Sequence, residues 1–476
     1  MTSSGNTASP ALSRKLGLHD AVFIGLGSMI GAGVFAAFTP AAQAAGNGLL
    51  VGLAVAAVVA FCNATSSAQL AAVYPTSGGT YVFGRKRLGP WWGFLAGWGF
   101  VVGKTASCAA MALTFAAYAA PSGWEKPVAV AAVIGLAAVN YRGVTRTARL
   151  TRIIVVVVLL TLAVVVAAGV SSGHPFADGW PGGTTASTTA STTASTTAST
   201  TASTTASTTA STPASTPAST PASTGANPLT NQLAAGGLYG VMQSAGLLFF
   251  AFAGYARIAT MGEEVRDPAR TIPRAITVAL ALAVVVYGII ALTLLATLGA
   301  EGVAASNEPL SDVVAAAGWS WAAPIVRVGA AAASLGALLA LIAGIGRTTL
   351  AMARESDLPR WLAAVHPRFH TPHHAEIALA AAVSILVVAV DVRGAIGFSS
   401  FGVLLYYFVA NVAAFTQPSD QRRYPRAFQL LGAVACVALV VTLPVGSIVA
   451  GGAVFAVGVV GRLIARSRVA RPPHNR

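Results

Sequence analysis

About twelve stretches of roughly twenty apolar residues recur along this chain, and no other feature narrows its possible fold as far. They lie near 20–44, 49–73, 91–120, 127–141, 150–170, 236–261, 275–299, 314–346, 374–390, 394–415, 428–443 and 445–463, the last two divided only by Pro444. In hydrocarbon every backbone N–H and C=O must be satisfied within the spanning structure, so spans of this length predict an all-α polytopic membrane protein. Hydrophobic residues make up 55% and charged residues 9% of the sequence, with a mean hydropathy of +0.71, which removes a soluble globular domain from consideration.

The net charge of +15 orients the chain. With the N-terminus placed in the cytoplasm, the basic clusters fall on cytoplasmic segments: Arg14/Lys15, Arg85–Arg87, Arg142–Arg152, Arg266–Arg274, Arg347–Arg368, Arg422–Arg426 and the tail from Arg462. Glu125, Asp178, Glu301, Glu308, Asp312 and Asp391 fall on the outside. This positive-inside pattern predicts a multi-pass protein of the plasma (inner) membrane with both termini cytoplasmic. The basic excess is thereby explained without a nucleic-acid partner. Cys62, Cys108 and Cys436 all lie within spans, so neither a disulfide framework nor a metal site is indicated. No cofactor is implied, and no cleavable signal peptide is evident.

Residues 184–223 stand apart: Thr-Thr-Ala-Ser seven times, then Thr-Pro-Ala-Ser three times. Without charge or large apolar residues the segment is expected to be a disordered extracellular loop between the fifth and sixth spans, either a neutral insertion or a mucin-like bristle. It divides the chain into a cytoplasmic N-terminus (1–19), five spans (20–170), an outer loop (171–235), five further spans (236–415), two C-terminal spans (416–463) and a basic tail (464–476). Five is odd, so the two sets of spans run in opposite directions.

Each set opens on an interrupted helix. The first span contains Gly25-Leu26-Gly27-Ser28-Met29-Ile30-Gly31-Ala32-Gly33-Val34-Phe35, a poor helix because each glycine costs about 1 kcal/mol against alanine. The sixth contains Phe249-Phe250-Ala251-Phe252-Ala253-Gly254-Tyr255. Unwound backbone at membrane depth is tolerated only against protein or a water-filled cavity. Matched interruptions in oppositely directed halves mark a transporter's binding site; the plainer alternative is that the glycines allow close helix packing.

These segments, with Glu263-Glu264-Val265-Arg266-Asp267-Pro268-Ala269-Arg270-Thr271-Ile272-Pro273, Arg347–Pro359, His366-Pro367-Arg368-Phe369 and Tyr74-Pro75-Thr76-Ser77-Gly78-Gly79-Thr80-Tyr81, occur in the order found in the amino acid–polyamine–organocation superfamily of secondary transporters, which the chain resembles from about residue 18 to 415. Bacterial permeases akin to cationic amino acid transporters look most similar. The resemblance implies two inverted five-helix repeats with helices 1 and 6 unwound around the substrate, here followed by two further helices, and uptake or exchange of amino acids or related amines.

Free N–H groups at a broken helix suit a carboxylate. The expected donors are the backbone at Ile30, Gly31, Ala32 and Gly33, with the Ser28 hydroxyl beside them. Carbonyls around Phe250, Ala251 and Ala253, next to Gly254, would receive an ammonium group, and Phe252 and Tyr255 would form an aromatic lid. Lys104 lies near the midplane of the third span, where a lysine can exist in the neutral form and carry a proton; snorkelling or a structural ion pair is the alternative. Arg257 follows the sixth-span break closely. Either it faces the cavity and disfavours a cationic substrate, or it pairs with Glu263 or Glu264. Proton-coupled relatives can carry a fifth-helix lysine where this sequence has Val158, so coupling falls to Lys104, to a sodium site with Ser334 as a candidate ligand, or to neither, as in an exchanger or facilitator.

The expected function is secondary active transport of an amino acid, neutral or acidic rather than cationic, by alternating access, with H+ or Na+ as possible coupling ion. A channel would need polar pore rings. A membrane enzyme would need clustered acids, histidines or cysteines at one depth, and His19, His366, His370, His373 and His374 lie beside cytoplasmic segments. A surface adhesin carrying the repeat tract as a stalk is the remote alternative.

Overall fold

The computed structural model describes residues 16–31, 33–76, 78–142, 147–173, 228–369 and 371–469. Ala32, the repeat tract and both terminal segments lie outside them. Helices follow one another as α1 (Leu18–Ile30), α2 (Gly33–Ala36), α3 (Phe38–Ala45), α4 (Leu49–Val73), α5 (Gly79–Arg87), α6 (Pro90–Ala119), α7 (Glu125–Tyr141), α8 (Thr147–Ser171), α9 (Pro228–Phe252), α10 (Ala256–Ala259), α11 (Pro268–Ala305), α12 (Pro309–Ala316), α13 (Ala323–Arg354), α14 (His373–Ala389), α15 (Val392–Phe415), α16 (Arg426–Thr442) and α17 (Val445–Val469).

Nine helical runs among the described residues are long and apolar enough to cross a membrane. Two shorter apolar helices, α14 and α16, join them, and α7 covers the fourth expected span. The first span is the broken series α1–α2–α3, and Gly46, at φ 52°, separates it from α4. At 17 residues the three short helices reach about 26 Å, a little less than the hydrocarbon thickness.

Apolar faces pack in a pattern that repeats between the halves. α1 lies on α11 as α9 lies on α4, and α6 lies on α15 as α13 lies on α8. The first and sixth spans run antiparallel through the centre. Leu16, ahead of α1, exchanges main-chain hydrogen bonds with Glu264 and Arg266 beyond α10, at 3.0 and 2.9 Å. At the opposite end Gly240 of α9 abuts the Ala44 carbonyl of α3. The expected inversion of the two halves is thus visible in the backbone. It is an all-α membrane fold of two inverted five-helix repeats with two helices added at the C-terminal end.

Three expectations need correction. The eighth span was expected at 314–346, but α12 ends at Ala316, the chain turns at Gly318, whose φ of 76° only glycine adopts readily, and α13 starts afresh with Pro324 in its first turn. Residues 79–87, between the second and third expected spans, form a helix that no expected span covers; their sequence gives no apolar periodicity to announce it. Arg462 was counted with the basic tail, yet it is only 2% exposed. Its guanidinium stands 2.7 Å from the Asp357 carboxylate and lies over the rings of Trp91 and Phe94 at 4.6 and 4.5 Å.

Candidate functional site

The sixth span is helical to Phe252, tightens into a 3-10 turn over Ala253–Tyr255, and resumes as the single turn α10. The first span breaks at Gly31, whose φ and ψ of −42° and −123° leave the helical region. The two breaks meet. A Cβ on Gly254 would lie 2.2 Å from the Ser28 carbonyl oxygen, and one on Gly33 would lie 2.8 Å from Cα of Ala251. Glycine at both positions lets the two backbones touch. A Cβ on Gly31 would come within 2.7 Å of the Ala337 side chain on α13, so this glycine fits the break against a third helix.

A narrow cavity of about 70 Å³ opens beside this crossing. Of the expected site residues, Ser28, Phe250, Ala253, Gly254, Arg257 and Lys104 line it. Phe100 and Met111 of α6, which no local motif signals, join them with Arg347 and Thr348 of α13, which open the Arg347–Pro359 segment. Ile30, Gly31, Gly33 and Ala251 lie at the crossing behind the wall, and Ala32 is outside the described residues. The aromatic lid is not formed by Phe252 and Tyr255. Both are fully buried, Phe252 edge-on to Tyr287 at 5.0 Å and Tyr255 tilted against Tyr407 at 5.1 Å. Their neighbours on the helix turn these rings into the core. Ser334 is likewise buried away from the cavity, with no hydrogen-bond partner for its hydroxyl among the described residues.

The freed carbonyls already have donors. Lys104 Nζ, 6% exposed, donates to the Ala253 carbonyl at 3.2 Å, and the Tyr407 hydroxyl reaches the same oxygen at 3.4 Å. The Tyr287 hydroxyl donates to the Met29 carbonyl at 2.6 Å and lies 3.1 Å from the Ala251 carbonyl. Tyr287 thus ties the first span to the sixth from α11. Sequence reasoning missed both tyrosines because they lie in apolar helices distant in sequence from either break. Tyr287→Phe leaves the buried Met29 carbonyl unmet and should lower stability by about 1–3 kcal/mol, measurable as a depressed thermal midpoint of the purified protein.

Arg257 and Arg347 both line the cavity, and Glu264 belongs to the main-chain strap with Leu16. Arg347 approaches Glu264 at 3.6 Å, so of the two partners considered for Arg257, Glu264 is engaged elsewhere. On the opposite side of the crossing a wider vestibule of about 630 Å³ is lined by Phe35, Gln43, Glu125, Glu308, Asp391 and Arg393.

The amino acid permease family matches residues 16–463. This chain belongs to that family. An uncharacterised transporter of Mycobacterium tuberculosis is 53% identical to this permease over 460 residues, covering 96% of this chain and 93% of its own. The branched-chain amino acid permease BcaP of Bacillus subtilis is 25% identical over 449 residues, covering 89% and 84%. Human cationic amino acid transporter 4 is 26% identical over 424 residues, covering 85% and 60%. The permease is therefore a multi-pass membrane transporter.

Proposed function

We propose that this permease moves an amino acid across the plasma membrane by alternating access, with neutral or acidic side chains preferred over cationic ones. The observation that carries the proposal is the antiparallel meeting of two broken helices beside a cavity, with a vestibule beyond it. The backbone N–H groups at Gly31–Gly33 are the proposed seat of the substrate carboxylate, and the Phe250–Gly254 segment faces its amine. The names of the relatives support an amino acid as cargo. The substrate enters from the vestibule side and leaves past Arg257 and Arg347, with the N-terminus and the basic segments in the cytoplasm. The two repeats, 20–170 and 236–415, rock against each other around the crossing.

Lys104 is the proposed coupling residue. Protonated, it ties α6 to the carbonyl freed by the sixth-span break; neutral, it loses most of that tie, so proton release loosens the segment that must move. Ser334 offers one buried oxygen for a sodium ion, which needs several. Exchange without ion coupling is the second reading, favoured by Val158 in the fifth span, a buried apolar residue where coupled relatives can carry a lysine.

The test is uptake of a panel of amino acids by the purified protein in liposomes, with proton and sodium gradients imposed separately. Acceleration by an inward proton gradient is expected in the wild type and should fall to the gradient-free rate in Lys104→Met. Full pH dependence in that variant would remove the coupling role. Failure of every amino acid under every gradient would remove the proposed cargo.

A further inference from the structure

The cavity wall carries three cationic side chains, Lys104, Arg257 and Arg347, and no carboxylate. Charge at membrane depth is costly and persists where it meets a partner or a substrate. Two of the three have partners: Lys104 at the Ala253 carbonyl and Arg347 at Glu264. The guanidinium of Arg257 forms no hydrogen bond or ion pair with any described residue. None of the hydroxyls lining the cavity accepts a hydrogen bond from it; Ser28, Ser107, Thr260 and Thr348 are held by donating to the carbonyls of Ile24, Gly103, Arg257 and Gly344. The like charge of Arg347 lines the same cavity, and Glu264 is engaged by Arg347.

We infer that Arg257 receives the side-chain carboxylate of an acidic amino acid, so that glutamate- or aspartate-like molecules are the cargo. The inference rests on the transport reading above and assigns its substrate class. Arg257 follows the break at Gly254 by three residues, close to one helical turn. An amino acid whose α-carboxylate and amine sit at the break therefore extends its side chain along α10 toward the guanidinium. Phe100, Met111 and Leu341 line the same cavity and give it apolar surface for the methylene groups. The planar guanidinium matches a carboxylate bidentately. A cationic side chain would meet three like charges, and a neutral one would leave Arg257 desolvated without an anion.

Glutamate and glutamine are nearly isosteric, so their uptake ratio isolates the charge. The full-length protein in liposomes is compared with Arg257→Gln and Arg257→Lys, using labelled glutamate, glutamine, leucine and lysine. The ratio is taken within each protein and does not depend on how much of it folds. The wild type should prefer glutamate. Arg257→Gln should lower the glutamate-to-glutamine ratio about 10- to 100-fold, the range expected for losing a hydrogen bond between charged groups, and Arg257→Lys should retain part of the preference. Wild-type uptake of glutamine or leucine in preference to glutamate, with a ratio unmoved by Arg257→Gln, overturns the assignment and leaves amino acid transport standing. Absence of uptake for every amino acid overturns the transport reading together with it.

Discussion

Gly254→Ala is expected to abolish uptake and to destabilise the protein by about 3 kcal/mol or more, at the upper end of what overpacking costs. The added carbon would lie 2.2 Å from the Ser28 carbonyl oxygen, 2.3 Å from its carbon and 2.6 Å from the Met29 nitrogen. All three are main-chain atoms of the opposing broken helix, so no side chain can swing away to make room. The first and sixth spans must part, taking with them the ties from Tyr287 to Met29 and from Lys104 to Ala253. Gly288 in α11 is the matched control. Its added carbon would meet nothing within 4 Å, and alanine there should raise stability by about 0.5–1 kcal/mol through helix propensity alone. Thermal midpoints and uptake rates of the two variants decide the matter; normal transport by Gly254→Ala would mean that the close crossing is dispensable.

Arg462→Ala should cost about 3–5 kcal/mol, because it leaves a buried carboxylate without one of its counter-charges. Asp357 gathers two helices around itself. It pairs with Arg462 of α17 at 2.7 Å and Arg85 of α5 at 3.1 Å, and it accepts a hydrogen bond from Tyr81 at 2.9 Å. Arg462 also donates to the Pro90 carbonyl at the start of α6. Removing it should detach α17 from the segment that follows α13. The same loss is expected of Asp357→Ala, which strands Arg462. Arg462→Met combined with Asp357→Leu should recover a good part of the stability, since it removes both charges and keeps most of the volume. A double variant no more stable than the single ones would assign the effect to packing over Trp91 and Phe94 instead of to the ion pair.

How far the molecule could be read from its sequence depended on where each signal is stored. The spans are local: about twenty apolar residues must be helical in hydrocarbon, and α4, α6 and α15 fall within a few residues of their expected limits. The breaks are local too, because Gly31, Gly33 and Gly254 interrupt apolar runs. What those glycines serve is shared across the fold, since Gly33 and Gly254 are dictated by a backbone on the other repeat. Tyr287 and Tyr407 escaped notice for the same reason; a tyrosine in an apolar helix gives no hint of which carbonyl it will meet. Phe252 and Tyr255 were aimed at the substrate by proximity in sequence, and the helical turn aims them into the core. Arg462 was read with the basic tail because it closes the last apolar run, and its partner Asp357 follows the eighth span. Lys104 and Arg257 were both recognisable in advance as charges at membrane depth, but whether Arg257 meets Glu263 or Glu264 depends on how the chain folds back beyond α10.

The short main-chain bridge between Leu16 and the residues on either side of Val265 has a mechanical consequence. It yokes the lower ends of both broken helices at the mouth beside Arg347. A rocking motion that draws one of these ends outward must carry the other along or rupture two main-chain bonds. The chain entering α1 is therefore a handle on both halves of the pathway, and a tether or binding protein that grips it ahead of Leu16 would brake the cycle without touching the cavity.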